Sequence, residues 1–300
     1  MIYRLITLIL LLMLLPVSYA QEGISNEAEV GGDSALAKRL KGEEKVALSS
    51  FVITPHRPNY ILPYTYNSNL NSTPYDAFVA LDPDANKIDE SELKYQLSFK
   101  IPLIMGLFHD KANLWVGYTQ VSYWQLYNSD SSSPFRETNY EPEMLLDIRN
   151  DYKIFDFTLS HVVLGFNHQS NGRSEPLSRS WNRITANFVF EKNNFVMYLK
   201  PWYRLPEDDE DDNNPDIEKY LGYGDYGASY KHNDQVYSIL LRNNFRSDDN
   251  LTSVQLDWSV PINGRLKFYT QYINGYGDGL VDYNHRNRRI GFGIMLTDWL

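Results

Sequence analysis

The sequence has no cysteine, which excludes a disulfide framework, a thiolate metal site and a cysteine nucleophile. It has no excess of positive charge either: 28 basic residues face 38 acidic ones, a net charge of −10. So acidic a chain repels the phosphate backbone, and nucleic acid is excluded as a partner. Long apolar runs are missing too, apart from residues 6–15, and that run is too short to cross a bilayer as a helix. With Arg4 before it and Ser18-Tyr19-Ala20 after it, it reads as part of a signal peptide over residues 1–20, and export follows. The mean hydropathy of −0.44 does not exclude a membrane. A β-barrel needs only every second residue to be apolar.

Tyrosine, tryptophan and two-residue alternation are abundant. The 23 tyrosines and 6 tryptophans suit aromatic girdles at two membrane interfaces. Residues 21–55 are polar and weakly patterned and read as an N-terminal periplasmic arm, mobile even if 35–46 forms a helical turn or two. Beyond them the period is two. Leu93, Tyr95, Leu97, Phe99, Ile101 and Leu103 share one face, and Lys94, Gln96, Ser98 and Lys100 the other. Similar runs recur at 114–126, 144–148, 154–166, 182–190, 195–205, 220–230, 236–245, 254–260, 266–276 and 290–296, with a weaker one at 59–66 that contains Pro63. Short connections (150–153, 192–194, 232–234, 263–264) alternate with long ones (67–91, 128–139, 171–180, 206–218, 277–287). Together these predict an all-β protein: a transmembrane antiparallel up-and-down β-barrel of about 12 strands over residues 56–300, with periplasmic turns and extracellular loops. Glu143, Asp147, Arg149, Asn187 and Gln255 fall on the inward face.

One stretch carries chemistry. Val162, Leu164, Phe166, His168 and Ser170 share a strand face, as do Asn182, Ile184, Ala186, Phe188 and Phe190 on the next run. Residues two apart on a strand lie roughly 6–7 Å apart, within reach of an imidazole and a hydroxyl. His168 can take the proton of Ser170 as it attacks an ester, and Asn182 can hold the ring in the useful tautomer. A serine hydrolase set in an apolar outer wall suits a substrate that is itself a lipid. Gln120 shares an outward face with Leu114, Val116 and Tyr118, where an unpaired amide costs a few kcal/mol. It lies either near the membrane interface or in a hydrogen bond across a dimer. His56, His109, His232 and His285 fall in turns or loops and His161 on the lumen face, none at metal-ligand spacing. The acidic run 207–212 reads as a solvated loop tip.

The segment Asn167-His168-Gln169-Ser170-Asn171-Gly172-Arg173-Ser174, with Ser178-Arg179-Ser180-Trp181-Asn182-Arg183, resembles outer membrane phospholipase A of Gram-negative bacteria. So do Ser132-Ser133-Pro134-Phe135-Arg136-Glu137-Thr138-Asn139-Tyr140-Glu141-Pro142, Lys200-Pro201-Trp202-Tyr203 and Asn214-Pro215-Asp216, and the likeness runs from about Asn59 onward. The resemblance implies a calcium-dependent enzyme that hydrolyses the acyl esters of phospholipids and is active as a homodimer. By position it makes Ser170 the nucleophile, His168 the base, Asn182 the orienting residue and the Gly172 N–H an oxyanion-hole donor. It makes the Arg173 carbonyl and the Ser178 hydroxyl ligands of Ca2+, with Ser132 supplied by the partner chain and Glu175 nearby. It also favours the dimer interface for Gln120. The departures are Gln169 between base and nucleophile, expected to face the lumen, and a final Leu300 in place of an aromatic residue. The outward site at the extracellular end predicts a dormant monomer that dimerises when phospholipid reaches the outer leaflet of the outer membrane. A passive channel and a soluble β-sandwich adhesin are the competing readings.

Overall fold

The computed structural model describes residues 34–47, 53–75, 88–129, 133–264 and 266–300. The signal-peptide segment, residues 21–33 of the arm and Ser132 lie outside them. Twelve antiparallel strands close into a barrel: β2 (Asn59–Asn67), β3 (Ser91–Gly106), β4 (Ala112–Trp124), β5 (Phe135–Ile154), β6 (Phe157–Ser170), β7 (Ser180–Lys192), β8 (Phe195–Arg204), β9 (Gly224–His232), β10 (Gln235–Asn243), β11 (Thr252–Pro261), β12 (Lys267–Gly275) and β13 (Asn287–Thr297). Each pairs with its neighbour in sequence, and β13 closes the ring on β2, where Ile290 faces Tyr66. A two-residue strand, β1 (Thr54–Pro55), extends the β2 edge along β3. Closure leaves no sheet edge, which rules out the sandwich.

The alternation in the sequence becomes an inside and an outside. Leu97, Ile101, Leu164, Phe166, Ile184, Leu199, Leu256 and Phe292 point outward and are exposed, a continuous apolar belt that only a lipid environment accommodates. The interior is polar and cross-braced. Arg136 and Arg289 both pair with Glu92, at 2.9 and 2.7 Å, and Arg289 and Lys94 both reach Asp278. Farther along, Arg57 bridges Glu141 and Glu143, which also take Arg183 and Lys200. Around these pairs a cavity of about 350 Å³ remains. It is lined in part by Glu143, Asp147, Asn187 and Gln255, as the inward-face assignment requires. Arg149 instead sits at the short-turn end, where its side chain donates to the Asp110 carbonyl.

Four features depart from the sequence expectations. β5 is far longer than 144–148, because Glu137, Glu141 and Glu143 extend it with charged residues that face the lumen. The β5–β6 turn falls at Phe155–Asp156 rather than 150–153, with Phe155 in the left-handed region (φ 53°). His56 is in no solvated loop; its ring lies 2.9 Å from Glu143 in the lumen. Within the supposed arm, residues Ala35–Ala47 form a helix, α1. Ser34 caps it by accepting from the Ala37 N–H and donates to Glu191. Leu36 packs with Val196, Val236 and Leu300, Arg39 donates to the Asp298 carbonyl, and Glu43 pairs with Lys100 at 3.1 Å. The helix is therefore fastened inside the short-turn mouth of the barrel. Pro63 is accommodated at a register shift between Leu62 and Thr65, where its missing N–H breaks no ladder.

Candidate active site

The site lies at the long-loop end of β6 and β7. The two strands pair in a register that sets His168 directly opposite Asn182 and Ser170 opposite Ser180. Because the pleat alternates, His168, Ser170 and Asn182 continue the apolar outward face of Leu164, Phe166 and Ile184. His168 Nδ1 lies 2.9 Å from Asn182 Oδ1. An amide oxygen only accepts, so Nδ1 carries the proton and Nε2 keeps its lone pair. Ser170 Oγ makes no hydrogen bond among the described residues, and Ser170 follows His168 by two residues on the same face of β6.

The opposite face of the same strands makes a rigid bed. Gln169 faces inward, as expected, and accepts from Trp181 Nε1 at 2.9 Å. Trp181 is fully buried and meets Trp202 edge-on, with ring centroids 5.8 Å apart. The Arg183 guanidinium lies 3.9 Å over the Trp181 ring and donates to Asn167, which itself donates to Glu141. Ile217 and Leu221, from the short helix α2 (Ile217–Leu221), complete the cluster with Leu280 and Tyr283. Each outward residue of the site thus has an inward neighbour locked by packing or by charge.

The β6–β7 loop, residues 171–179, is organised by buried Asn171. Its side chain donates to the Leu177 carbonyl and accepts from the N–H groups of Arg173 and Arg179, while its own N–H donates to the Arg179 carbonyl. Between these engaged amides, the Gly172 N–H meets no acceptor among the described residues, and Gly172 adopts φ +63°. Asn213, from the β8–β9 loop, donates to Ser178 Oγ at 2.9 Å and to Glu175 Oε1 at 3.4 Å. Two of the expected calcium ligands therefore converge on one amide. The Arg173 side chain turns away, donating to the carbonyls of Phe135 and Arg136. Among the described residues, no group of three or more His, Asp or Glu forms a metal cluster.

Gln120 is not an orphan in lipid. Its Oε1 accepts from the Tyr118 hydroxyl at 3.1 Å, and its Nε2 donates to Ser122 Oγ and to the Tyr95 hydroxyl. The amide is thus satisfied by neighbours within one chain. Two contacts of the site were not expected from sequence: Asn213 in the oxygen cluster, and Glu207, whose Oε1 accepts from Asn182 Nδ2 at 3.0 Å. Register held the signal for the second. Counting back from the tight turn at Asn193 sets Asn182 beside Leu205, and the Leu205 N–H does donate to the Asn182 carbonyl.

The phospholipase A1 family model matches residues 36–296. Phospholipase A1 of Escherichia coli K12 is 39% identical over 95% of each chain. A putative phospholipase A1 of Neisseria meningitidis serogroup B is 38% identical over 82% of this chain and 65% of its own. Among solved structures, outer membrane phospholipase A from Escherichia coli superposes with a TM-score of 0.78 at 39% identity, over 84% of this chain and 95% of that one. The Salmonella typhi outer membrane phospholipase dimer with bound calcium gives 0.79 at 37% identity, over 89% and 99%.

Proposed function

The chain belongs to the phospholipase A1 family of outer-membrane β-barrel enzymes, and from that premise we propose that it hydrolyses glycerophospholipid acyl esters through a Ser170–His168–Asn182 acyl-enzyme mechanism. The observation that carries this is the 2.9 Å hydrogen bond between His168 and Asn182 on an outward apolar face, with Ser170 two residues along. His168 Nε2 takes the hydroxyl proton as Ser170 Oγ forms a bond to the ester carbonyl carbon. The tetrahedral oxyanion meets the free N–H of Gly172. Collapse breaks the ester C–O bond, and His168 returns the proton to the departing glycerol oxygen. Water, activated by the same imidazole, then releases the fatty acid. Asn182 holds the ring throughout but stabilises the imidazolium less than a carboxylate would.

Calcium fits the loop beside the site. The Ser178 hydroxyl, the Glu175 carboxylate and the Arg173 carbonyl are hard oxygen donors, and the shared Asn213 amide brings the first two within reach of each other. When bound, the ion supplies positive charge near the developing oxyanion. The Salmonella relative, a dimer with bound calcium, supports calcium and a dimer here; the sequence resemblance adds Ser132 of the partner chain to the ligands and Gln120 to the interface. The monomer is the dormant form, activated when phospholipid enters the outer leaflet on the extracellular side. Residues 1–20 serve as signal peptide and 21–55 as the periplasmic segment, with the barrel at 56–300. A passive channel is disfavoured by the lumen's ion pairs and by α1 in its mouth. Phospholipid hydrolysis by detergent-extracted protein, with and without chelator, tests the proposal. Calcium-dependent release of fatty acid that Ser170→Ala abolishes is expected; undiminished turnover by Ser170→Ala would refute it.

A further inference from the structure

The side chain of Asn182 has two ends of nearly the same shape, so packing alone does not choose which one faces His168; hydrogen bonding must. Oδ1 accepts from His168 Nδ1 at 2.9 Å, and Nδ2 donates to Glu207 Oε1 at 3.0 Å. Glu207 is half-buried at the root of the β8–β9 loop. That root is fixed to β7 by the Leu205 N–H, which donates to the Asn182 carbonyl at 2.8 Å. Farther round the loop, Arg204 pairs with Asp212 at 2.6 Å and folds the acidic run back on its own stem. Glu207 is thereby set apart from the solvated residues beside it.

A carboxylate accepts and never donates. It admits the NH2 end of Asn182 and repels the carbonyl end. A flipped amide would present NH2 to His168 Nδ1, which would then have to accept, moving the ring proton to Nε2. An imidazole protonated there cannot take the proton of Ser170. The negative charge also polarises the amide and strengthens its oxygen as an acceptor. We propose that Glu207 is a positioning residue of the hydrolytic site, which selects the working orientation of Asn182 and, through it, the working tautomer of His168. This rests on the assignment of Ser170, His168 and Asn182 above.

The test uses the full barrel in detergent micelles with excess calcium and a p-nitrophenyl acyl ester as probe. Glu207→Ala should lower kcat about tenfold and leave KM within about twofold. Glu207→Gln, which can still accept, should lose less. Asn182→Asp sets two carboxylates face to face and should lose activity. Adding Glu207→Gln to it exchanges donor and acceptor across the same contact and should restore about tenfold. Histidine 15N spectra should show His168 protonated at Nδ1 in the parent chain and a mixture of tautomers in Glu207→Ala. An inactive Ser170→Ala beside a fully active Glu207→Ala with an unchanged His168 spectrum overturns the role of Glu207 alone. Failure of Glu207→Gln to restore Asn182→Asp does the same. Full activity in Ser170→Ala overturns the underlying assignment instead.

Discussion

A Cβ placed on Gly172 would stand 3.1 Å from Cε2 of Tyr140, on the strand paired with β6. The Tyr140 ring thus limits how close the loop can lie to the barrel wall, and glycine holds the backbone there at φ +63° without the cost that a side chain adds.

Gly172→Ala should therefore fold into a heat-modifiable barrel yet lose activity. Its left-handed backbone costs about 1–2 kcal/mol, and relief would rotate the N–H assigned to the oxyanion. A fall in kcat of about tenfold or more with little change in KM is expected in ester hydrolysis. Unchanged kcat would remove Gly172 from the oxyanion hole.

Within the proposed triad the losses should be ranked. Ser170→Ala and His168→Ala should each cost on the order of 10³-fold or more, and Asn182→Ala about 10- to 100-fold, since a neutral orienter contributes geometry more than charge. Steady-state kinetics of the three variants at saturating calcium decides. An Asn182 variant as inactive as the other two contradicts the ranking.

Asp278, in the β12–β13 loop, is buried between Lys94 and Arg289, at 2.9 and 2.7 Å. Burial pushes its carboxyl up, but the two cations outweigh burial and hold it well below the usual carboxylate range. A depressed folded value means a stabilisation present in full above the unfolded value of about 3.9 and lost as pH falls from there toward the folded value. Asp278→Asn should cost about 3–5 kcal/mol near neutrality, because it strands buried cations. Denaturant unfolding of refolded barrels should show that difference constant down to about pH 5 and shrinking below about pH 4. A difference that grows on acidification would contradict the assignment.

Gln120→Ala removes an amide that the monomer already satisfies through Tyr118, Ser122 and Tyr95. Its effect on the dimer should thus lie low in the range for membrane hydrogen bonds, about 0.5–1 kcal/mol. Sedimentation in detergent with calcium and a substrate analogue measures it. A parent chain that stays monomeric and fully active at every dilution would sink both the dimer and the role of Ser132.

The outward triad was legible because period two fixes facing parity: once β6 and β7 are strands, His168, Ser170 and Asn182 must share the apolar face. The barrel was legible for the same reason. What local pattern could not supply were contacts made across the lumen or between loops. His56 turns inward because Glu143, 87 residues away, accepts it there. β5 runs long because its charged residues find opposite charges on other strands. Asn213 reaches Ser178 only through the fold of two loops, which no periodicity records. The acidic run looked uniform in sequence, yet Glu207 and Asp212 have separate side-chain partners, Asn182 and Arg204.

Helix α1 precedes every strand in the chain, but its anchors are Lys100, Glu191, the Asn193 carbonyl, Val196, Val236, Asp298 and Leu300. These are drawn from β3, β7, β8, β10 and the residues just past β13, so the seat does not exist until the hairpins have zipped and the last strand has met the first. A segment that precedes every strand in the chain thus finds its place only after them. Its docking registers, at the turn-side opening, that the cylinder behind it is complete.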